Sequence, residues 1–88
     1  MAKTIDSVKV ISVTTEAQDV AINCKTFMIE NLGTGAVYFK EKNGVDCTAS
    51  NGFAIPASTL LDEKLSASTL SIVGEADADV RILFLKEY

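Results

Sequence analysis

The residue types that most often carry catalysis are thin in this chain. It holds no histidine, so no Ser-His-Asp or Cys-His relay can be drawn and no imidazole can ligate a metal. Cys24 and Cys47 are the only cysteines, and two thiolates make half of the usual four-ligand zinc set. They read as two small, partly buried apolar residues; a disulfide is the alternative, one that a reducing compartment disfavours. Glu75, Asp77 and Asp79 alternate and could offer oxygens to a calcium ion, but the spacing of a full calcium loop is missing. A solvated acidic turn is the plainer reading. Asp62 and Glu63 are neighbours, and on a strand they point to opposite faces, which does not suit the paired carboxylates of a glycosidase. Gly33-Thr34-Gly35 is too short for a phosphate loop and leads into no helix. The expectation is a protein that is not an enzyme and holds no cofactor and no metal.

Groups that bind rather than react are the next candidates. Tyr38 and Tyr88 are the only tyrosines and tryptophan is absent; Phe27, Phe39, Phe53 and Phe84 read as core. A sugar-binding module usually presents more aromatic surface than this. The formal net charge is −4, and the lysines and Arg81 are scattered singly. Nucleic-acid and anionic-membrane surfaces are read by clustered Lys and Arg, so neither partner is expected. No apolar run approaches the roughly 20 residues that span a bilayer. The first residues lack the apolar stretch of a secretory signal, and synthesis in a cytoplasm is expected.

The elements that would position these residues are strands. Val, Ile, Thr, Phe and Tyr fill the apolar segments, Gly and Asn interrupt them at short intervals, and no apolar stripe of helical period runs through ten residues. The pattern predicts an all-β chain: a small antiparallel β-sandwich or partly closed barrel of about 7–9 short strands. One domain spans residues 7–88 behind an arm of residues 1–6. A first strand over 7–14 changes phase between Val8/Val10 and Ile11/Val13, which predicts a bulge or bend. "FMIENLGTGAVYFKE", residues 27–41, predicts a β-hairpin whose glycines supply positive φ at the turn. Phe27, Ile29, Val37 and Phe39 then face the core and Tyr38 and Lys40 face outward. Val45 to Ala49 predicts a short strand, and Pro56 places Phe53–Ile55 on a sheet edge or at a strand end.

The last strand, 78–86, is apolar on both sides: Val80, Ile82 and Phe84 on one, Leu83 and Leu85 on the other. Either a second layer of the same chain or another subunit covers Leu83 and Leu85.

The order of these features resembles small β-sandwich structural proteins of tailed bacteriophages. The residues that carry the resemblance are Ile29-Glu30-Asn31-Leu32-Gly33 before Val37-Tyr38-Phe39, then Asn51-Gly52-Phe53-Ala54-Ile55-Pro56, and Ala78-Asp79-Val80-Arg81-Ile82-Leu83 near the end. The resemblance implies a virion component, such as a head decoration or cement protein or a small fibre or tail module. It implies the major capsid protein and further copies of the same chain, as a dimer or trimer, as partners. The candidate contact residues are Leu83, Leu85, Tyr38, Tyr88 and Ile5. A stand-alone module that recognises a host-surface glycan or protein is the alternative, with Tyr38, Asn23 and Asn51 as its thin binding groups.

Overall fold

Eight strands are shared equally between two facing sheets in the computed structural model, which describes residues 3–87. The strands are β1 (Lys3–Val13), β2 (Gln18–Ala21), β3 (Thr26–Asn31), β4 (Val37–Glu41), β5 (Phe53–Ile55), β6 (Thr59–Ser66), β7 (Thr69–Gly74) and β8 (Ala78–Glu87). One sheet has the order β1-β8-β3-β6 and the other β2-β7-β4-β5. Every pairing is antiparallel, and β1 lies on β8, β2 on β7, β3 on β6 and β4 on β5. The chain is thus one long hairpin, closed at β4–β5 and rolled up, which is the topology of a double-sheet jelly roll. The all-β sandwich expected from the strand pattern is what forms.

The core lies between the sheets. Ile11, Val13, Val20, Ile22, Phe27, Ile29, Val37, Phe39, Ile55, Leu70, Ile72, Val80 and Ile82 interlock there, with Leu61, Leu65 and Phe84 partly buried at the margin. Full burial of each such side chain stabilises by about 1.5–3 kcal/mol before chain entropy is counted. Phe27, Ile29, Val37 and Phe39 are in the core as expected. Phe53 is not: it is 58% exposed, because β5 is a three-residue edge strand at the margin of its sheet.

Three local expectations are overturned. First, β3 and β4 are not a hairpin; they belong to opposite sheets, and residues 32–36 cross between them. The crossing is made by Asn31. Its side chain is completely buried, accepts from Gly33 N at 2.9 Å and donates to the carbonyls of Gly35, Ile55 and Pro56 at 2.9, 3.1 and 3.1 Å. Gly33 is needed for close approach rather than for positive φ, since a Cβ there would collide with the Cβ of Ala78. The left-handed φ values fall on Asn23, Cys24, Gly44 and Ser58 instead.

Second, β1 does not change phase between Val10 and Ile11. Val8 and Val10 lie on one face and Ile11 and Val13 on the other, so both faces are apolar. A register shift does occur, but earlier, between Ile5 and Ser7. The segment expected as an arm is partly strand, because Lys3, Thr4 and Ile5 pair with Glu87, Lys86 and Leu85; Met1 and Ala2 lie outside the described residues. Third, residues 45–49 are loop, held by side chains and not by a ladder.

Candidate interaction surface

The outward faces of the two sheets are treated differently by the chain. Over β2-β7-β4-β5 lies the 42–52 loop. The N–H of Cys47 donates to the buried hydroxyl of Ser71 at 2.8 Å, and Lys42 N donates to Thr69 O at 2.8 Å. Lys42 Nζ bridges Asp19 and Asp46, while Lys40 Nζ donates to Asn43 Oδ1 at 2.9 Å and Val45 O at 3.3 Å. The Asp46 and Asp19 carboxylates raise the Lys42 pKa above its ordinary value, and burial raises that of the Cys47 thiol. Tyr38 sits under this loop, half-buried, in a cleft shared with Cys47, Thr48 and Val73.

Among the described residues, no segment covers the outward face of β1-β8-β3-β6. Directly opposed residues of antiparallel strands share a face, so the register defines its rows. Val10, Arg81, Glu30 and Leu60 form one row across all four strands. Val8, Leu83 and Met28 form the next, and Ile5 opposes Leu85 beyond it. Ile5, Val8, Val10 and Leu60 are 51, 48, 60 and 41% exposed. Leu83 and Leu85 are half-buried. Met28 is buried yet stands outside the inter-sheet cluster, because it packs into this outer layer. Scattered exposed apolar residues are ordinary, whereas a continuous apolar layer of this kind marks an interaction surface.

The face's open edge is guarded. Lys9 opposes Ile82, a core residue, and so occupies an inward position of an edge strand. The irregularity between Ile5 and Ser7 adds a kink. Inward charges and bulges are two devices that prevent strand addition along an edge. The apolar face itself carries no such device.

Three of the sequence-predicted contact residues, Leu83, Leu85 and Ile5, are therefore brought together. Tyr38 is on the opposite side of the sandwich, on the loop-covered sheet, and does not join them. Tyr88 lies outside the described residues. Val8, Val10, Met28 and Leu60 line the same face without being among the sequence-predicted contacts; the apolar residues on both sides of β1, which in the sequence suggest a bulge or bend, are the signal for Val8 and Val10.

A second feature lies at the seam between edge strands β5 and β6. Phe39, Phe53, Leu61 and Leu65, rimmed by Lys40 and Glu63, line a groove of about 680 Å³. The rings of Phe39 and Phe53 are 5.8 Å apart and tilted by 57°. Asn51, expected as a binding group, spends its amide locally: its Oδ1 accepts from Thr48 N at 2.7 Å and its Nδ2 donates to Asp46 O at 3.2 Å.

Among the described residues, no group of three or more His, Cys, Asp or Glu gathers to hold a metal. Glu75 accepts from Ala36 N at 2.7 Å, a structural use of a side chain weighed above as a calcium ligand. Both cysteines are free thiols, Cys24 exposed and Cys47 buried. Comparison with models of protein families, with curated proteins and with solved structures found no match.

Proposed function

We propose that this chain is a non-enzymatic assembly protein, a capsid decoration subunit that binds the outer surface of a bacteriophage head as a small homo-oligomer. The observation that carries the reading is the bare apolar face of β1-β8-β3-β6, with Ile5, Val8, Val10 and Leu60 exposed around Leu83, Leu85 and Met28. A monomer gains nothing from such a layer, and a subunit of an assembly does. The sequence resemblance to phage structural proteins supports the virion as the setting. The jelly roll adds a fold-level analogy, since viral shells and lectins use it, though function resides in sites and not in folds. In this reading the major capsid protein is the second partner and the protein acts on the virion after synthesis in the host cytoplasm.

The test is co-sedimentation with purified heads of the encoding phage that lack the protein. Saturable binding that is weakened by Val8→Asp, with the variant still folded by circular dichroism, is the expected result. No binding to heads at micromolar protein would overturn the decoration reading.

The groove at Phe53 favours a second reading, a stand-alone module that recognises a host-surface glycan or protein. An exposed aromatic side chain, Phe53, in an apolar groove with a polar rim suits a sugar ring or an apolar peptide side chain. Loss of host-cell binding on Phe53→Ala, without change in assembly, would decide for that reading.

A further inference from the structure

The partner that fits the apolar face is a second copy of this chain. We infer that two chains pack face to face through β1-β8-β3-β6, about a twofold axis that runs along the strands between β8 and β3. This rests on the assembly reading above and specifies its subunit contact.

The argument is the order of residues across the sheet. Rotation about such an axis lays β8 of one copy over β3 of the other, and β1 over β6, at the same height along the strands. The row Val10–Arg81–Glu30–Leu60 then meets its own reverse. Val10 stands over Leu60 of the second copy, and Arg81 over its Glu30. The same operation repeats both contacts on the other side of the axis, as a twofold interface requires. In the next row, Leu83 meets Met28. In the central row apolar side chains thus face apolar ones and the only two charged side chains face their opposites; in the next row Val8 comes to lie over residues 62–64 of the other copy's β6, at the irregularity between Phe27 and Ile29. Arg81 Nε is buried and has no hydrogen-bond partner among the described residues, so the outer guanidinium N–H groups are the donors that a carboxylate across the axis would engage.

Size agrees. Four strands about 4.8 Å apart, the longest of 11 residues at about 3.3 Å each, outline a face of at most about 700 Å², near the low end of specific interfaces, which fits a dimer that dissociates on dilution. Lys9 and the irregularity after Ile5 oppose the competing extension of the sheet by a second β1.

The experiment is sedimentation equilibrium across a hundredfold range of concentration, on the wild type and a charge-swap series. The wild type is expected at twice the 9.4 kDa chain mass, dissociating on dilution. Arg81→Glu and Glu30→Arg, each of which puts like charges opposite one another across the axis, are each expected to weaken the dimer about tenfold or more. The double variant Glu30→Arg with Arg81→Glu is expected to restore it. Val10→Asp, at an exposed position that faces Leu60 of the second copy, provides a disruption that leaves the inter-sheet core intact. A monomer at all concentrations overturns the proposal. So does a dimer indifferent to Val10→Asp, or singly weakened variants, folded by circular dichroism, that the swap fails to rescue. Head binding is scored separately: a monomer that still binds heads keeps the decoration reading and loses the dimer, and a dimer that ignores heads does the reverse.

Discussion

At the scale of single residues, Asn31 is the position on which the crossing between sheets depends. Its two amide protons are shared among three carbonyls, those of Gly35, Ile55 and Pro56, while its oxygen takes the N–H of Gly33. These groups come from two separate stretches, 33–35 and 55–56, and Asn31 is fully buried. Asn31→Ala removes every one of these bonds and strands buried acceptors, at about 1–3 kcal/mol for each group left unpaired. A loss of about 3 kcal/mol or more in chemical denaturation is expected, a large part of the stability of a domain this size. A loss below 1 kcal/mol would mean that water enters and replaces the amide. Asn31 was legible in the sequence only as a turn residue beside glycine. Its partners Ile55 and Pro56 lie 24 and 25 positions away, and no local pattern announces a bond of that span.

At the scale of elements, the 42–52 loop is held by groups that titrate together. The Asp46 and Asp19 carboxylates favour charged Lys42 in the fold, so its contribution is whole below the ordinary 10.5 and is lost as pH rises through the raised value. Burial favours the neutral thiol of Cys47, so the folded state is preferred below the ordinary 9.0, and that preference is lost as pH climbs above it. Both effects act in the alkaline direction. Stability is expected to be level near neutrality and to fall above about pH 9, with the loop opening first. Thiol labelling measures this directly. Cys24 is exposed and reacts at once; Cys47 is buried and reacts slowly until the loop lifts. In Cys24→Ser, the Cys47 rate should climb more steeply with pH than thiolate formation alone requires. A rate that merely tracks ionisation would place the loop's opening elsewhere. The strands were more legible than their partners. Alternation in 27–31 and 37–41 marks two half-buried strands, but alternation cannot say whether neighbours in sequence are neighbours in a sheet. Gly33-Thr34-Gly35 looks like a hairpin turn because a crossover between stacked sheets also needs small residues, here for clearance against Ala78.

At the scale of the whole molecule, the rolled hairpin places the first and last strands side by side. β1 and β8 share a ladder of ten residue pairs, from Lys3–Glu87 to Val13–Ala78. The local turn of the roll, β4 with β5, has only three. The longest ladder therefore closes the longest loop, and closing a loop costs entropy that grows with its length. Topologies dominated by such distant pairings fold in milliseconds to seconds. A circular permutant reverses the order of difficulty. Joining residue 88 to residue 1 by a short linker, and opening the chain between Asn43 and Gly44, makes β8–β1 a local hairpin and leaves the three-pair β4–β5 contact as the distant one. The contacts of the folded state are otherwise preserved, because Lys3 already faces Glu87 and the Asn43–Gly44 turn is exposed. Stopped-flow refolding is expected to show the permutant folding about tenfold faster than the parent. Its unfolding rate should change less, because the ladder it moves is retained. A permutant that folds no faster would show that the β1–β8 ladder forms after the rate-limiting step, and would move the nucleus to β3, β4 and β7, whose pairings span the middle of both sheets.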